Sequence, residues 1–287
     1  PTSTEELSSP ESISGNEAAS ALNGLSVLAA NGEAEVTTAS ELTGALADSS
    51  ISRITLKGDI DIGSTLTVNR TVTLDLNGCV LKMTGSDSVI KVEADGDLTI
   101  QDRNTTTQHK FNPHCKYLTW YIDMWELDNG GSEIVSGGVI TGGGGDQSNG
   151  GGVLVAGGTL VMAGGSIVGC SAMSRGGGVC NNGTFIMSDG MIKGCTSPDG
   201  QYASGGGVRN SNQFTMTGGM IGDPDNENDA SHVYNTSSQE TTLTISGNAK
   251  IYTDITNVGI LNADGGEIAG TMTNDTNRYG NRVGGGD

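Results

Sequence analysis

The sequence predicts an all-β fold built from short stacked strands, and three observations predict it. Composition comes first. The 287 residues include 47 Gly but only two Trp, six Tyr and three Phe, with abundant Thr, Ser and Asn, which favours short strands and tight turns over long helices. Second, from Ile51 onward apolar residues alternate with polar ones over three to five residues: Ile54 and Leu56, Ile60 and Ile62, Leu66 and Val68, Val72 and Leu74. Third, "GGGVLVAGGTLVMAGGSIVGC" at 150–170 is answered by "GGGVCNNGTFIMSDGMIKGC" at 176–195 and by "GGGVRNSNQFTMTGGMIGD" at 205–223. Four apolar columns emerge: Val153, Val179, Val208; Leu160, Phe185, Phe214; Met162, Met187, Met216; Ile167, Ile192, Ile221.

The columns recur every 25 to 29 residues, and the variation falls in the segment after the third strand of each block. One repeat therefore reads as three short strands, two tight turns and a variable loop. A single repeat cannot bury its own apolar residues; stacking at about 4.8 Å pairs each strand with its equivalents and lines like side chains inside. The expected architecture is a single-stranded right-handed parallel β-helix, three short strands per coil, the hand following the usual crossover rule.

Elements follow in order. Residues 1–36 are rich in Ser, Thr and Ala, hold six Glu and precede the first cation, Arg53, so they read as an acidic linker or docked arm. Thr38 and Glu41 form a capping box ahead of Leu42, Ala45 and Leu46, predicting a short N-terminal capping helix over the first coil. The helical stack occupies 37–287. "GGVITG" at 137–142 matches the third-strand block, Leu243, Ile245 and Ile251 supply another coil, and "GGEIAG" at 265–270 a last partial one. A non-repeat excursion at 103–135 interrupts it.

The net charge of −19 repels polyanions, so nucleic acid is excluded as a partner. No apolar run is long enough to span a bilayer. The chain begins without an initiator Met, which reads as a processed or truncated form of something longer.

"TVTLDLNGCVLKM" at 71–83, with the repeated "GGGV…F-x-M-x-GG-x-I-x-G", resembles right-handed β-helix repeat proteins of the pectate-lyase-like superfamily, in particular Gly-rich surface proteins of anaerobic gut bacteria. The resemblance spans about 37–272 and is specific for fold rather than activity. It implies a secreted or wall-attached extracellular protein, part of a larger surface protein, that binds glycans or host surface components without catalysis. A polysaccharide lyase or glycoside hydrolase and a structural spacer stand as alternatives. The polygalacturonase-like Asn-Thr-Asp, Asp-Asp, His-Gly and Arg-x-Lys set is absent from the sequence.

Three groups of residues depart from the repeat. The excursion carries Phe111, Tyr117, Trp120, Tyr121 and Trp125, and aromatic faces exposed on a loop are what sugar rings stack against; the alternative is a hairpin that buries them on the flank. "GDPDNENDASH" at 222–232 alternates Asp223, Asp225, Glu227 and Asp229 in the manner of a structural Ca²⁺ loop, though without the Gly that an EF-hand loop uses at its sixth position; a solvated acidic loop is the alternative. Asp61, Asp75 and Glu93 are outward carboxylates, any two of which could form a glycosidase pair or lie solvated. Cys170 and Cys195 fall on equivalent positions of adjacent coils, as stacked thiols or a disulfide.

Overall fold

A computed structural model describes residues 32–116, 123–144, 149–197, 205–226, 229–236 and 240–274. The chain opens with β1 (Glu33–Val36) and α1 (Ala39–Ala47). Three short strands follow, β2 (Arg53–Leu56), β3 (Ile60–Ile62) and β4 (Leu66–Val68), then three more, β5 (Thr71–Asp75), β6 (Val80–Met83) and β7 (Ile90–Val92). β5, β6 and β7 pair with, or share a partner with, the three before them, always in parallel. β8 (Asp97–Gln101) leads into the excursion, β9 (Gln108–Lys116), β10 (Asp123–Leu127) and β11 (Glu133–Ser136), after which β12 (Val139–Thr141) and β13 (Val153–Val155) rejoin the stack.

From β14 (Thr159–Val168) the repeat is tightest. β15 (Val179–Asn181), β16 (Thr184–Lys193), β17 (Val208–Asn210), β18 (Gln213–Met216), β19 (Met220–Ile221) and β20 (Val233–Asn235) continue it. β21 (Thr242–Ile251), β22 (Ile255–Asn257), β23 (Ile260–Ile268) and β24 (Met272–Asn274) end it. The pairings form three parallel ladders, with β14, β16, β21 and β23 each serving the first and then the second across a glycine corner. The all-β chain of parallel sheets has the arrangement of a β-helix.

Register matches the repeat. Val153, Val179 and Val208 pair in line, as do Leu160, Phe185 and Phe214, then Met162, Met187 and Met216, then Ile167, Ile192 and Ile221. All are buried in one core running from Ala34 to Leu261. Phe185 and Phe214 stack with ring centroids 4.5 Å apart and planes 8° from parallel, a contact worth about 0.5–1.5 kcal/mol beyond the area buried.

α1 covers the first rung. The Thr38 side chain accepts from the Glu41 amide at 3.3 Å and the Glu41 carboxylate accepts from the Thr38 amide at 3.2 Å, while Leu42, Ala45 and Leu46 turn inward over β1 to β4. Arg70 fastens the helix end, donating to the carbonyls of Ala45, Leu46 and Ile51. β1 pairs in parallel with β2, and alternation within "EAEV" buries Ala34 and Val36 against it.

Candidate functional site

The excursion between β8 and β12 is a three-stranded antiparallel sheet in the order β10-β9-β11. Its root is pinned by carboxylates. Asp102 accepts from the Gly78 amide through Oδ1 at 2.7 Å and from the Gly138 amide through Oδ2 at 2.8 Å, so one side chain ties the way out to the way back. Asp75, fully buried, accepts from the Arg103 guanidinium and from Gln101 Nε2, and Arg103 Nη2 also donates to Thr55. His109 Nε2 lies 3.0 Å from the Gly78 carbonyl.

The sheet then lies on the second ladder. Phe111, Trp125, Val135, Val139 and Val168 form a separate apolar cluster, joined by Leu127 and Met191. The Trp125 amide donates to the Gly194 carbonyl at 3.3 Å, and the Lys193 ammonium stands 4.2 Å from the ring centroid, a cation–π contact strengthened by the burial of both groups. Gly194 has φ +59, and a Cβ there would come 2.1 Å from Trp125 Cγ; the corner accepts the ring because it has no side chain.

Two of the aromatics expected to stack on sugars are thus closed off. Phe111 is 0% and Trp125 2% exposed, because the hairpin needs an apolar underside to dock against Val139, Val168 and Met191. Tyr117, Trp120 and Tyr121 lie outside the described residues.

In the acidic loop, Asp223 and Asp229 take their partners from the protein itself. Asp223 accepts from Lys193 Nζ at 3.0 Å, and Asp229 accepts from the Ser231 amide at 2.9 Å and the Gly194 amide at 3.2 Å, while Asp225 is exposed. Glu227 lies outside the described residues, among which no group of three metal-ligating side chains converges. Here the acids serve the hairpin's seat: Asp223 neutralises the buried lysine under Trp125, and Asp229 fixes the Gly194 turn. Burial pushes the Asp229 carboxyl up from its ordinary value, against the Ser231 and Gly194 hydrogen bonds that pull it down.

Of the three carboxylates expected to face outward, Asp75 is instead fully buried. Asp75 is engaged by Arg103, Glu93 pairs with Lys91 at 2.7 Å, and Asp61 sits in register with Lys82. Cys170 and Cys195 are free, buried thiols directed at the carbonyls of Ile140 and Ile167. Burial, with the Cys170 side chain beside it, pushes the Cys195 thiol well up.

Beside the hairpin's edge, the glycine corner of β16, β18–β19 and β21 opens a cleft of about 480 Å³. Met191 and Met220 give it an apolar wall; Ser188, Asp189, Asn248 and Lys250 bring hydroxyl, carboxylate, amide and ammonium groups to it. Asp189 accepts from the Gly190 amide at 2.7 Å, and Lys250 Nζ is 4.0 Å from Glu267. Apolar wall and mixed polar rim are what a sugar ring with its hydroxyls requires. Hydrolysis by paired acids requires two facing carboxyl groups, and Asp189 is the one acid among the lining residues.

Sequence reasoning missed a polar spine. Asn181, Asn210, Asn235, Asn257 and Asn274 end the third-ladder strands, each Nδ2 donating to the next Oδ1 at 2.7 to 3.0 Å. Asn181, Asn210 and Asn235 also donate to the carbonyls of Gln213, Thr242 and Ile260, sealing the corner into the first ladder. The signal was present in "VCN", "VRN", "VYN", "ITN" and "MTN".

Residues 33–136 match the family described as "Putative pectate lyase-like adhesive domain". This covers the cap, the first rungs and the excursion, and supports the pectate-lyase-like superfamily. No curated protein matches the chain. No solved structure matches it.

Proposed function

We propose that the chain is a non-enzymatic, adhesin-like β-helix, right-handed with three strands per coil, that binds glycans on the extracellular side of a cell as part of a larger surface protein. The observation that carries the reading is the match of 33–136 to an adhesive domain, set beside an open cleft whose wall is methionine and whose rim is polar. The engagement of these carboxylates supports binding over catalysis: Asp75 is buried against Arg103 and Glu93 pairs with Lys91, so neither is left to face a second carboxyl group across a substrate.

A glycan array tests it with wild type, Asn248→Ala, Lys250→Ala and Trp120→Ala. Binding by wild type that falls at least about tenfold in a cleft variant or in the Trp120 variant is expected. Wild type that binds no glycan, or three variants that bind as wild type does, would overturn the reading. Incubation with pectic, mucin and fructan polymers should release no new reducing ends or unsaturated sugars; their release would make the protein an enzyme.

A further inference from the structure

Among the described residues, one ion pair is closed to solvent at both ends. Arg53–Glu33, Lys57–Glu35, Lys91–Glu93, Arg103–Asp75 and Lys250–Glu267 each keep at least one partner open to water. The Lys193 and Asp223 side chains are only 8% and 5% exposed, with Nζ 3.0 Å from Oδ2. Taking both charges out of water offsets much of their attraction, so the Coulombic gain alone is a weak reason to keep such a pair.

The groups around the pair are fixed. Lys193 ends β16, where its carbonyl accepts from the Gly169 amide at 3.3 Å. Asp223 comes just after β19, whose Ile221 is in register with Ile192, and the Gly222 amide donates to the Ile192 carbonyl at 2.9 Å. Asp223 Oδ1 accepts from the Asp225 amide at 3.1 Å. The buried Trp125 ring closes the lysine side, its centroid 4.2 Å from Nζ. A nitrogen is thus held one bond away from a carboxyl carbon, one carboxyl oxygen is polarised by a backbone N–H, the other touches the nitrogen, and water is shut out. These are the conditions for amide formation.

We propose that Lys193 and Asp223 condense after folding into an isopeptide bond between Nζ and Cγ. A proton first passes from Nζ to Oδ2 along their hydrogen bond, leaving an amine beside a carboxylic acid. The nitrogen lone pair attacks Cγ, and the charge that gathers on Oδ1 is met by the Asp225 amide. A second proton moves from the nitrogen to the Oδ2 hydroxyl, the Cγ–Oδ2 bond breaks, and water leaves as the Cγ–Oδ1 double bond re-forms. One ammonium and one carboxylate become one neutral amide and one water, with no oxidant, reductant or co-reactant. Between free molecules in water hydrolysis wins. Here the effective concentration of a held partner, on the order of 10⁵ M or more, and the removal of two buried charges favour the amide. The bond ties β16 to the chain after β19, so two rungs otherwise joined by main-chain hydrogen bonds are joined covalently beneath the hairpin.

The intact mass of the whole chain, kept folded and then denatured before ionisation, tests this. Wild type should weigh one water less than its amino-acid sequence requires, and proteolytic mapping should find the peptide holding Lys193 joined to the peptide holding Asp223. Lys193→Arg keeps a cation for Asp223 but has no primary amine, and Asp223→Ala has no carboxyl group, so both should show the full mass. A wild type of full mass after prolonged incubation in the folded state would overturn the proposal. So would a water loss that maps anywhere but Lys193 and Asp223, such as a succinimide, or one that persists in Lys193→Arg. The wild-type mass and map decide the matter even where neither variant folds. Glycan binding by a chain of full mass would leave the adhesin reading in place while this one fell.

Discussion

Gly194 and Trp125 show how one missing side chain positions an entire excursion. At φ +59 any L-residue is strained, and a methyl group would enter the indole ring. Gly194→Ala should therefore cost about 3 kcal/mol, from backbone strain and overpacking together. In a Trp120→Phe background, emission from Trp125 should shift to the red as the hairpin lifts; unchanged emission and an unchanged urea midpoint would show that the ring is not seated on this turn. Asp229, which accepts from the same Gly194 amide, adds a pH effect whose sign is opposite to that of a salt-bridged carboxylate. Its folded pKa is raised, so the folded state binds more protons than the unfolded state between the ordinary aspartate value and the raised one, and stability falls as pH rises through that window. Asp229→Asn retains an oxygen for the Ser231 and Gly194 amides without the buried charge. The variant should lose this part of the acid-range slope and match or exceed wild type at pH 7 in urea denaturation; an identical slope would show that Asp229 does not titrate across the transition.

Among the elements, α1 is the one that sequence rules specify most completely, because its capping box, apolar stripe and position before the first alternating strand all agree. Thr38→Ala removes a cap and should cost about 1 kcal/mol, read from the denaturant midpoint. The four repeat columns were equally legible, since a stacked rung must place the same kind of side chain above and below itself, and a period of 25 to 29 residues records that directly. The excursion was legible only as a departure. Phe111 stands between Lys110 and Asn112 just as an exposed stacking aromatic would, and nothing local to it or to Trp125 states that Val139, Val168 and Met191 present a matching apolar patch. The asparagine spine was overlooked for a different reason: Asn signals a turn in any single strand, and its ladder exists only between strands. Asn210 stands in mid-ladder, donating to Asn235 and accepting from Asn181. Asn210→Ala leaves Asn235 Oδ1 without its donor and Asn181 Nδ2 without one of its acceptors, so it should lose about 2–3 kcal/mol. Asn274→Ala, at the last position, breaks one contact and should lose no more than about 1 kcal/mol. Equal losses would mean that the ladder's bonds act independently of their place in it.

On the scale of the whole molecule, each rung touches only its neighbours, so stability is a sum of rung and interface terms and need not be uniform along the stack. The two ends differ. At the first rung α1 buries Leu42 and Leu46 across β1 to β4, replacing a missing neighbour with an apolar lid. At the other end of the described residues β24 pairs, among them, with β22 alone; its three residues are all exposed there, Met272 at 36%. In the middle, β14 and β16 have strands on both sides and the docked hairpin outside, with Trp125 resting on Lys193 and Gly194. Hydrogen exchange should therefore be slowest in β14 and β16, nearly as slow in β2 and β5 beneath the helix, and at least about a hundredfold faster in β23 and β24, where a local opening breaks one interface rather than two. Leu42→Asp should abolish that asymmetry by raising exchange in β2 and β3 towards the rate of β24, while β14 and β16 stay protected. If β2 and β24 exchange alike in wild type, the helix is not acting as a cap; if the variant accelerates every strand equally, the stack unfolds as one unit and its rungs are not separable.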